Sequence, residues 1–187
     1  MRASARARIS IWTVSAAADR GVFPLGKVVS PDELMRLRRD WKREGRKVVC
    51  ASGGFDLLHP GHIRLLEQAR SLGDILVVAV ESDASIRSRA ASAAGVARPI
   101  TPAAERAEIL AALAAVDYVA EFADVSPRGL LAHLQPDIFV AGASAGDAAA
   151  RQEDEALGAA GCQVVRLALE PGYSTALLIE RIQQLPA

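Results

Sequence analysis

Aromatic side chains are scarce: Phe, Trp and Tyr together make up 4% of the 187 residues. Any core must therefore be aliphatic. Cysteine is nearly absent as well. Cys50 and Cys162 alone make no disulfide framework, and no secretory signal asks for one. No apolar run approaches the ~20 residues of a spanning helix. Excess charge of one sign is also missing, with 22 Lys+Arg against 22 Asp+Glu. That balance argues against broad electrostatic binding to DNA, RNA or an anionic membrane, so neither nucleic acid nor a membrane is an expected partner. If the protein handles a polyanion, its positive charge must be local. What is present is apolar surface, at 51% of residues, enough for a real core. The length suits one domain, or one domain and a tail.

Residues 1–26 read differently from the rest. MRASARARIS carries Arg2, Arg6 and Arg8 and no acid, and its apolar stretch at 9–14 is broken by Ser10 and Thr13. A signal peptide needs a longer apolar region, so a cytoplasmic location is expected. Transit peptides share the Arg and Ser content, which leaves targeting open. The segment is read as a poorly ordered leader or linker, with the folded domain spanning 27–187.

From Ser30 the pattern becomes regular. Ser30-Pro31-Asp32-Glu33 is a helix start: an N-cap serine, proline in the first turn, then acids. Leu34, Leu37 and Trp41 give that helix one apolar face, and Gly45 ends it. Residues 47–51 (KVVCA) read as a buried strand, followed by a helix from about 61 to 72 and a second strand, ILVVAV. A short helix is expected at 84–89 and a small-residue loop at 90–99. Thr101-Pro102 opens a helix running to about 115. Strands at 118–121, 137–141 and 163–168 then alternate with helices at 127–134, 146–160 and 174–184. This alternation predicts an α/β fold: a Rossmann-like, doubly wound parallel sheet of five strands flanked by helices.

Ligands of such sheets bind beyond the carboxyl ends of the strands. That rule selects the loops at 52–62, 81–83, 142–146 and 170–175. The first contains Ser52-Gly53-Gly54-Phe55-Asp56-Leu57-Leu58-His59-Pro60-Gly61-His62. Its glycines allow close backbone approach to a ligand, and the helix it opens presents free N–H groups suited to phosphate. His59 and His62 lie three apart at that helix start and can face one anion, donating hydrogen bonds to a phosphate as its charge grows. Zinc normally needs a third ligand, and His133, Cys50 and Cys162 lie on other elements without ligand spacing. No metal site is therefore assigned. The stretch is neither a G-x-G-x-x-G fingerprint nor a P-loop.

GGFDLLHPGH resembles the G-x-F-D-x-x-H-x-G-H signature of the cytidylyltransferase-like nucleotidyltransferase superfamily. The similarity extends through HIRLLEQARSLGDILVVAVESDASIR, RPITPAAERAEILAALAAVDYVAEF, QPDIFVAG and GYSTALLIERI, over roughly 25–184. Within the superfamily these stretches are most like the adenylyltransferase domain of ADP-heptose synthases. The resemblance implies that a sugar 1-phosphate oxygen attacks the α-phosphate of ATP, with Mg²⁺ accompanying the triphosphate and pyrophosphate leaving. CTP as the donor, and nucleotide binding without catalysis, remain the alternatives. It further implies His59 and His62 as the catalytic pair. Ser52, Gly53, Gly54, Phe55, Asp56, Gly61, Arg98, Gly142, Ser174 and Thr175 are implied around the nucleotide, and a homodimer as the assembly. Asp56 has an alternative role in fixing the turn. Ser174 and Thr175 have one as an ordinary helix cap. Asp83 is expected either to position base or ribose or to cap the short helix after it, and Arg106 to pair with an acid such as Asp83.

Three departures qualify the resemblance. Ala51-Ser52-Gly53 stands where the family has Thr-Asn-Gly, and serine reaches less far than asparagine. The stretch RSRAASAAGVARP lacks the family's lysine, leaving Arg87 or Arg89 as substitutes of different geometry. Val140-Ala141-Gly142-Ala143-Ser144-Ala145 replaces V-K-G-G-D-Y, losing a lysine, an acid and an aromatic. These losses fall on the acceptor side more than on the histidine side, so nucleotide binding is the firmer expectation. Glu170-Pro171-Gly172-Tyr173-Ser174-Thr175 is closer to the heptose group's E-D-G-C-S-T than to R-T-E-G-I-S-T, which favours ATP and a sugar phosphate.

Overall fold

The computed structural model describes residues 27–89, 96–122, 127–142, 148–168 and 170–186. The expected leader at 1–26 and the alanine-rich stretches at 90–95 and 143–147 lie outside them. Six parallel strands form one sheet in the order β1-β4-β3-β2-β5-β6. They are β1 (Lys27–Val28), β2 (Val48–Gly53), β3 (Ile75–Glu81), β4 (Tyr118–Phe122), β5 (Ile138–Gly142) and β6 (Gln163–Leu167). Five of these are the expected strands. The sixth, β1, is an exposed two-residue edge strand paired to β4, too short to show periodicity.

The helices are α1 (Pro31–Arg43), α2 (Pro60–Arg70), α3 (Asp83–Arg89), α4 (Ala103–Ala111), α5 (Arg128–Leu134), α6 (Ala148–Ala159) and α7 (Thr175–Gln183). Helix α1 starts as its sequence says, with the Ser30 hydroxyl accepting from the Glu33 N–H at 3.2 Å. Gly45 follows it at φ +68°, where a side chain would be strained. Helix α4 ends at Ala111, short of the expected 115.

Strand β3 is buried along its whole length, as a central strand of a parallel sheet covered on both faces must be. Its alternating side chains feed two cores. Val77 and Ala79, with Val48 and Cys50 of β2, pack under Leu34 and Trp41 of α1, Leu130, Leu131 and Leu134 of α5, and Leu157 of α6. Leu76, Val78 and Val80, with Val49 and Ala51, pack under Leu66 and Ala69 of α2 and Ala107, Leu110 and Ala111 of α4. Ala51, Ala69, Ala107 and Ala111 are the small residues of the second core. Gly73 is required just before β3: a Cβ there would come within 2.7 Å of Val49 Cγ2 and 2.8 Å of the Lys47 carbonyl.

The strand order fixes where a ligand belongs. Going from β2 to β3 to β4 the sheet grows outward in one direction. It then returns to place β5 on the other side of β2 and continues to β6. The reversal occurs at β2, and the crevice beyond its carboxyl end is the binding position of such folds. The loop leaving β2 there is the one that carries both histidines. Among the described residues no helix is long and apolar enough to cross a membrane.

Candidate active site

Helix α2 begins on the first histidine. His59 is its N-cap, extended at φ −142° and ψ 165°, and Pro60 fills the first turn. The Nδ1 atom of His59 accepts from the His62 N–H at 3.3 Å. Nδ1 being an acceptor, a neutral His59 carries its proton on Nε2, and that N–H becomes the outward donor. The three-residue spacing returns His62 to the same side of the helix start. The two imidazoles stack with centroids 3.7 Å apart and planes 14° from parallel.

Phe55 holds the other side of His62, ring edge to face at 5.2 Å. The phenylalanine sits at φ +48°, a conformation a side chain adopts at a cost of about 1 kcal/mol or more. Gly53 makes room for it, since a Cβ there would lie 3.1 Å from the Phe55 ring. Gly54 is fitted as closely, against Ile86 and the carboxylate of buried Glu81. Gly61 has His59 Nδ1 at 3.1 Å and Tyr173 Cβ at 3.2 Å from its missing Cβ.

Burial governs the charge of the pair. It pushes His62 down from 6.5 to about 4, with the neighbouring His59 adding to the effect. Burial lowers His59 as well, against a smaller opposing effect of its own backbone. Both rings are neutral at pH 7. His62 Nδ1 is buried and has no hydrogen-bond partner among the described residues. A buried polar atom without a partner is costly and suits a site that awaits a ligand.

Asp56 is 2% exposed, and its carboxylate accepts from protein donors, which fixes the turn. One carboxylate oxygen accepts from the N–H groups of Ile100 (2.7 Å) and Thr101 (2.9 Å), the other from Arg98 Nε at 2.9 Å. It thus ties the β2 loop to the segment before α4 and anchors Arg98 there. Arg106 pairs with Asp83 at 2.6 Å, as expected, and also donates to the carbonyls of Thr101 (2.8 Å) and Gly54 (2.5 Å). Asp83 does cap a helix, but the cap is on α4, not on α3: it accepts from the Ala103 N–H at 2.9 Å. Arg106 is 1% exposed, so this network is a latch beneath the site.

The remaining expected residues fall at strand and helix ends. Ser52 is half-buried near the end of β2, and Gly142 closes the neighbouring β5. The Gly142 carbonyl accepts from Arg166 at 3.4 Å, while Asp154 of α6 grips the same guanidinium with both oxygens. Ser174 caps α7, its hydroxyl accepting from the Leu177 N–H at 3.1 Å, and Thr175 is the first residue of that helix. Arg87 is exposed on α3; the side chain of Arg89 and residues 143–145 lie outside the description. The site also includes groups not assigned from sequence. Tyr173 reaches His59 at 6.1 Å between ring centroids, Arg64 lies over the Tyr173 ring, and Glu170 pairs with Arg64. Tyr173 had one readable signal, its place directly before a Ser-Thr helix start.

A glycine-lined turn at the reversal of a parallel sheet, opening a helix capped by one of two stacked histidines, is an arrangement suited to a phosphate. The cytidylyltransferase-like family model matches residues 50–181. The chain belongs to that family, and with it to the nucleotidyltransferase enzymes. It is 40% identical, over 85% of its length, to the bifunctional protein HldE of Alkalilimnicola ehrlichii, and 41% identical over 84% to that of Pasteurella multocida. It spans about a third of those proteins, 32% in each case. A lipopolysaccharide core biosynthesis protein from Thermoplasma volcanium superposes with a TM-score of 0.55 at 28% identity, covering 67% of this chain and 98% of that one. Pantoate-beta-alanine ligase from Francisella tularensis shares the fold, with a TM-score of 0.59 at 13% identity over 87% of this chain and 74% of its own.

Proposed function

We propose that this chain transfers the adenylyl group of ATP to a sugar 1-phosphate of the heptose type, forming an ADP-sugar. An acceptor phosphate oxygen bonds to the α-phosphorus of ATP as the bond from that phosphorus to the β-bridging oxygen breaks. The electron pair leaves with pyrophosphate. The observation that carries the reading is the stacked pair of neutral imidazoles at the start of α2, with the buried His62 Nδ1 lacking a partner among the described residues.

Neutral N–H donors hold a ground-state phosphate only modestly. Their bonds strengthen as charge gathers on the α-phosphoryl oxygens, so the stabilisation is largest in the transition state. His59 offers Nε2–H, and His62 lies against it. Gly53 and Gly54 let the backbone approach the nucleotide, and Gly61 continues the cradle at the helix start. Phe55 braces His62 from the other side. Arg98, fixed by Asp56 at the segment before α4, is the cation assigned to the nucleotide's phosphates. Ser52, Gly142, Ser174 and Thr175 complete the nucleotide's surroundings, with the α7 start toward the triphosphate.

Magnesium enters as part of the substrate. Among the described residues no group of three His, Cys, Asp or Glu could hold a metal ion, and Asp56 and Asp83 direct their carboxylates to protein donors. Such residues do not fit a resident metal, whereas Mg²⁺ is readily carried on phosphate oxygens. The heptose assignment draws on the HldE relatives and on the sequence before α7. A homodimer and a cytoplasmic location belong to the same reading.

The test is pyrophosphate release from Mg-ATP or Mg-CTP across a panel of sugar 1-phosphates. Release with ATP and a heptose 1-phosphate is expected. A clear preference for CTP would replace the donor, and tight nucleotide binding without release from any pair would overturn the catalytic assignment.

A further inference from the structure

The ring stack at the mouth of β2 does not end with the histidines. Phe55 meets His62, His62 stacks on His59, and Tyr173 adds a further ring, tilted 25° from His59. The Arg64 guanidinium lies 5.6 Å from the centre of the Tyr173 ring. Glu170, three residues before Tyr173, holds that guanidinium in an ion pair. Tyr173 is also seated against the start of α2, where a Cβ at position 61 would lie 3.2 Å from the Tyr173 Cβ.

His59 needs such a brace. The hydrogen bond that its ring accepts from the His62 N–H is long at 3.3 Å and holds the imidazole only weakly against tipping about its Cβ–Cγ bond. Yet the residue is only 9% exposed. We propose that Tyr173, held by Arg64 and Glu170, is a positioning residue that fixes the His59 imidazole and keeps water from it, so that Nε2–H is presented to the phosphate in one orientation. The lowered pKa of His59, caused first by burial, agrees with a covered ring. Among the described residues, the titratable and charged groups linked to it by these contacts are His62 on α2, Tyr173 itself, and Arg64 and Glu170, which pair with each other. The expected effect on turnover rests on the nucleotidyl-transfer reading; the effect on His59 does not.

The experiment is an NMR titration of the His59 ring in the full chain, as the native protein and as Tyr173→Phe, Tyr173→Ala and Arg64→Gln, with kinetics alongside. Phenylalanine keeps the ring and should reproduce the native titration and rate. Alanine should raise the His59 midpoint toward the ordinary 6.5, as water returns to the ring. It should lower kcat on the order of tenfold while KM for the nucleotide stays within about twofold. Arg64→Gln, which frees the tyrosine without removing it, should shift both in the same direction by less. Tyr173 is 37% exposed, so alanine there is compatible with folding. An unchanged His59 midpoint in both Tyr173→Ala and Arg64→Gln would overturn the proposal. Absence of turnover in every variant and in the native chain would instead refute the functional reading, and the titration would still decide the role of Tyr173.

Discussion

Removing the Asp56 carboxylate should destabilise the whole domain, and the size of the effect can be worked from its partners. Its side chain is fully buried and accepts from two backbone N–H groups and one guanidinium. In Asp56→Asn the oxygen facing Ile100 and Thr101 survives, but the new NH₂ meets Arg98 Nε as donor against donor. One charge-assisted bond is lost and Arg98 loses its counter-charge, for about 2 kcal/mol. In Asp56→Ala all three donors lose their acceptor and a partly buried guanidinium is left alone, for about 3–5 kcal/mol. Urea unfolding followed by circular dichroism and tryptophan fluorescence measures both. The alanine variant should lose clearly more than the asparagine variant, with an unchanged m-value. In Asp56→Asn/Arg98→Gln the amide pair can hydrogen-bond, so part of the loss should return as a coupling energy. A loss below about 1 kcal/mol in Asp56→Ala would refute the idea that this carboxylate ties the β2 loop to the start of α4.

Other expectations are simpler to state. Gly73→Ala forces a Cβ against a backbone carbonyl and Val49, and should cost about 1–3 kcal/mol of stability, measured by the same unfolding curves. The His62 titration gives a pH dependence of fixed sign. Its folded pKa, about 4, lies below the ordinary 6.5, so between these values the unfolded chain binds more protons and stability rises with pH. The contribution is fully present above pH 6.5 and lost as pH falls toward 4. His62→Gln should flatten that slope in unfolding midpoints recorded from pH 4 to 7.

The parts of the fold that local chemistry dictates were legible in the sequence. Ser30-Pro31 marked α1, the β-branched runs marked β2 and β3, and the glycine turn marked the crevice at β2. Apart from the Arg106–Asp83 pair, contacts made at long range were not. Nothing near Asp83 says that it caps a helix starting at Ala103, twenty residues on. An arginine is ordinarily a surface residue, so Arg106 gave no sign of burial until Asp83 and two carbonyls were seen around it. Strand β1 was hidden because two exposed residues carry no pattern. The histidine motif was readable as phosphate chemistry. The stack it forms with Tyr173 depends on α7 returning to α2, which no spacing encodes.

The central claim is that the stacked imidazoles act on the α-phosphoryl group in the transition state. Single-turnover release of pyrophosphate from Mg-ATP and sugar 1-phosphate, compared among the native chain, His59→Ala and His62→Ala, tests it most directly. The account predicts that each variant folds, binds ATP within a few-fold of the native affinity, and releases pyrophosphate on the order of 10²-fold more slowly or worse. Two folded variants that turn over at the native rate would contradict it.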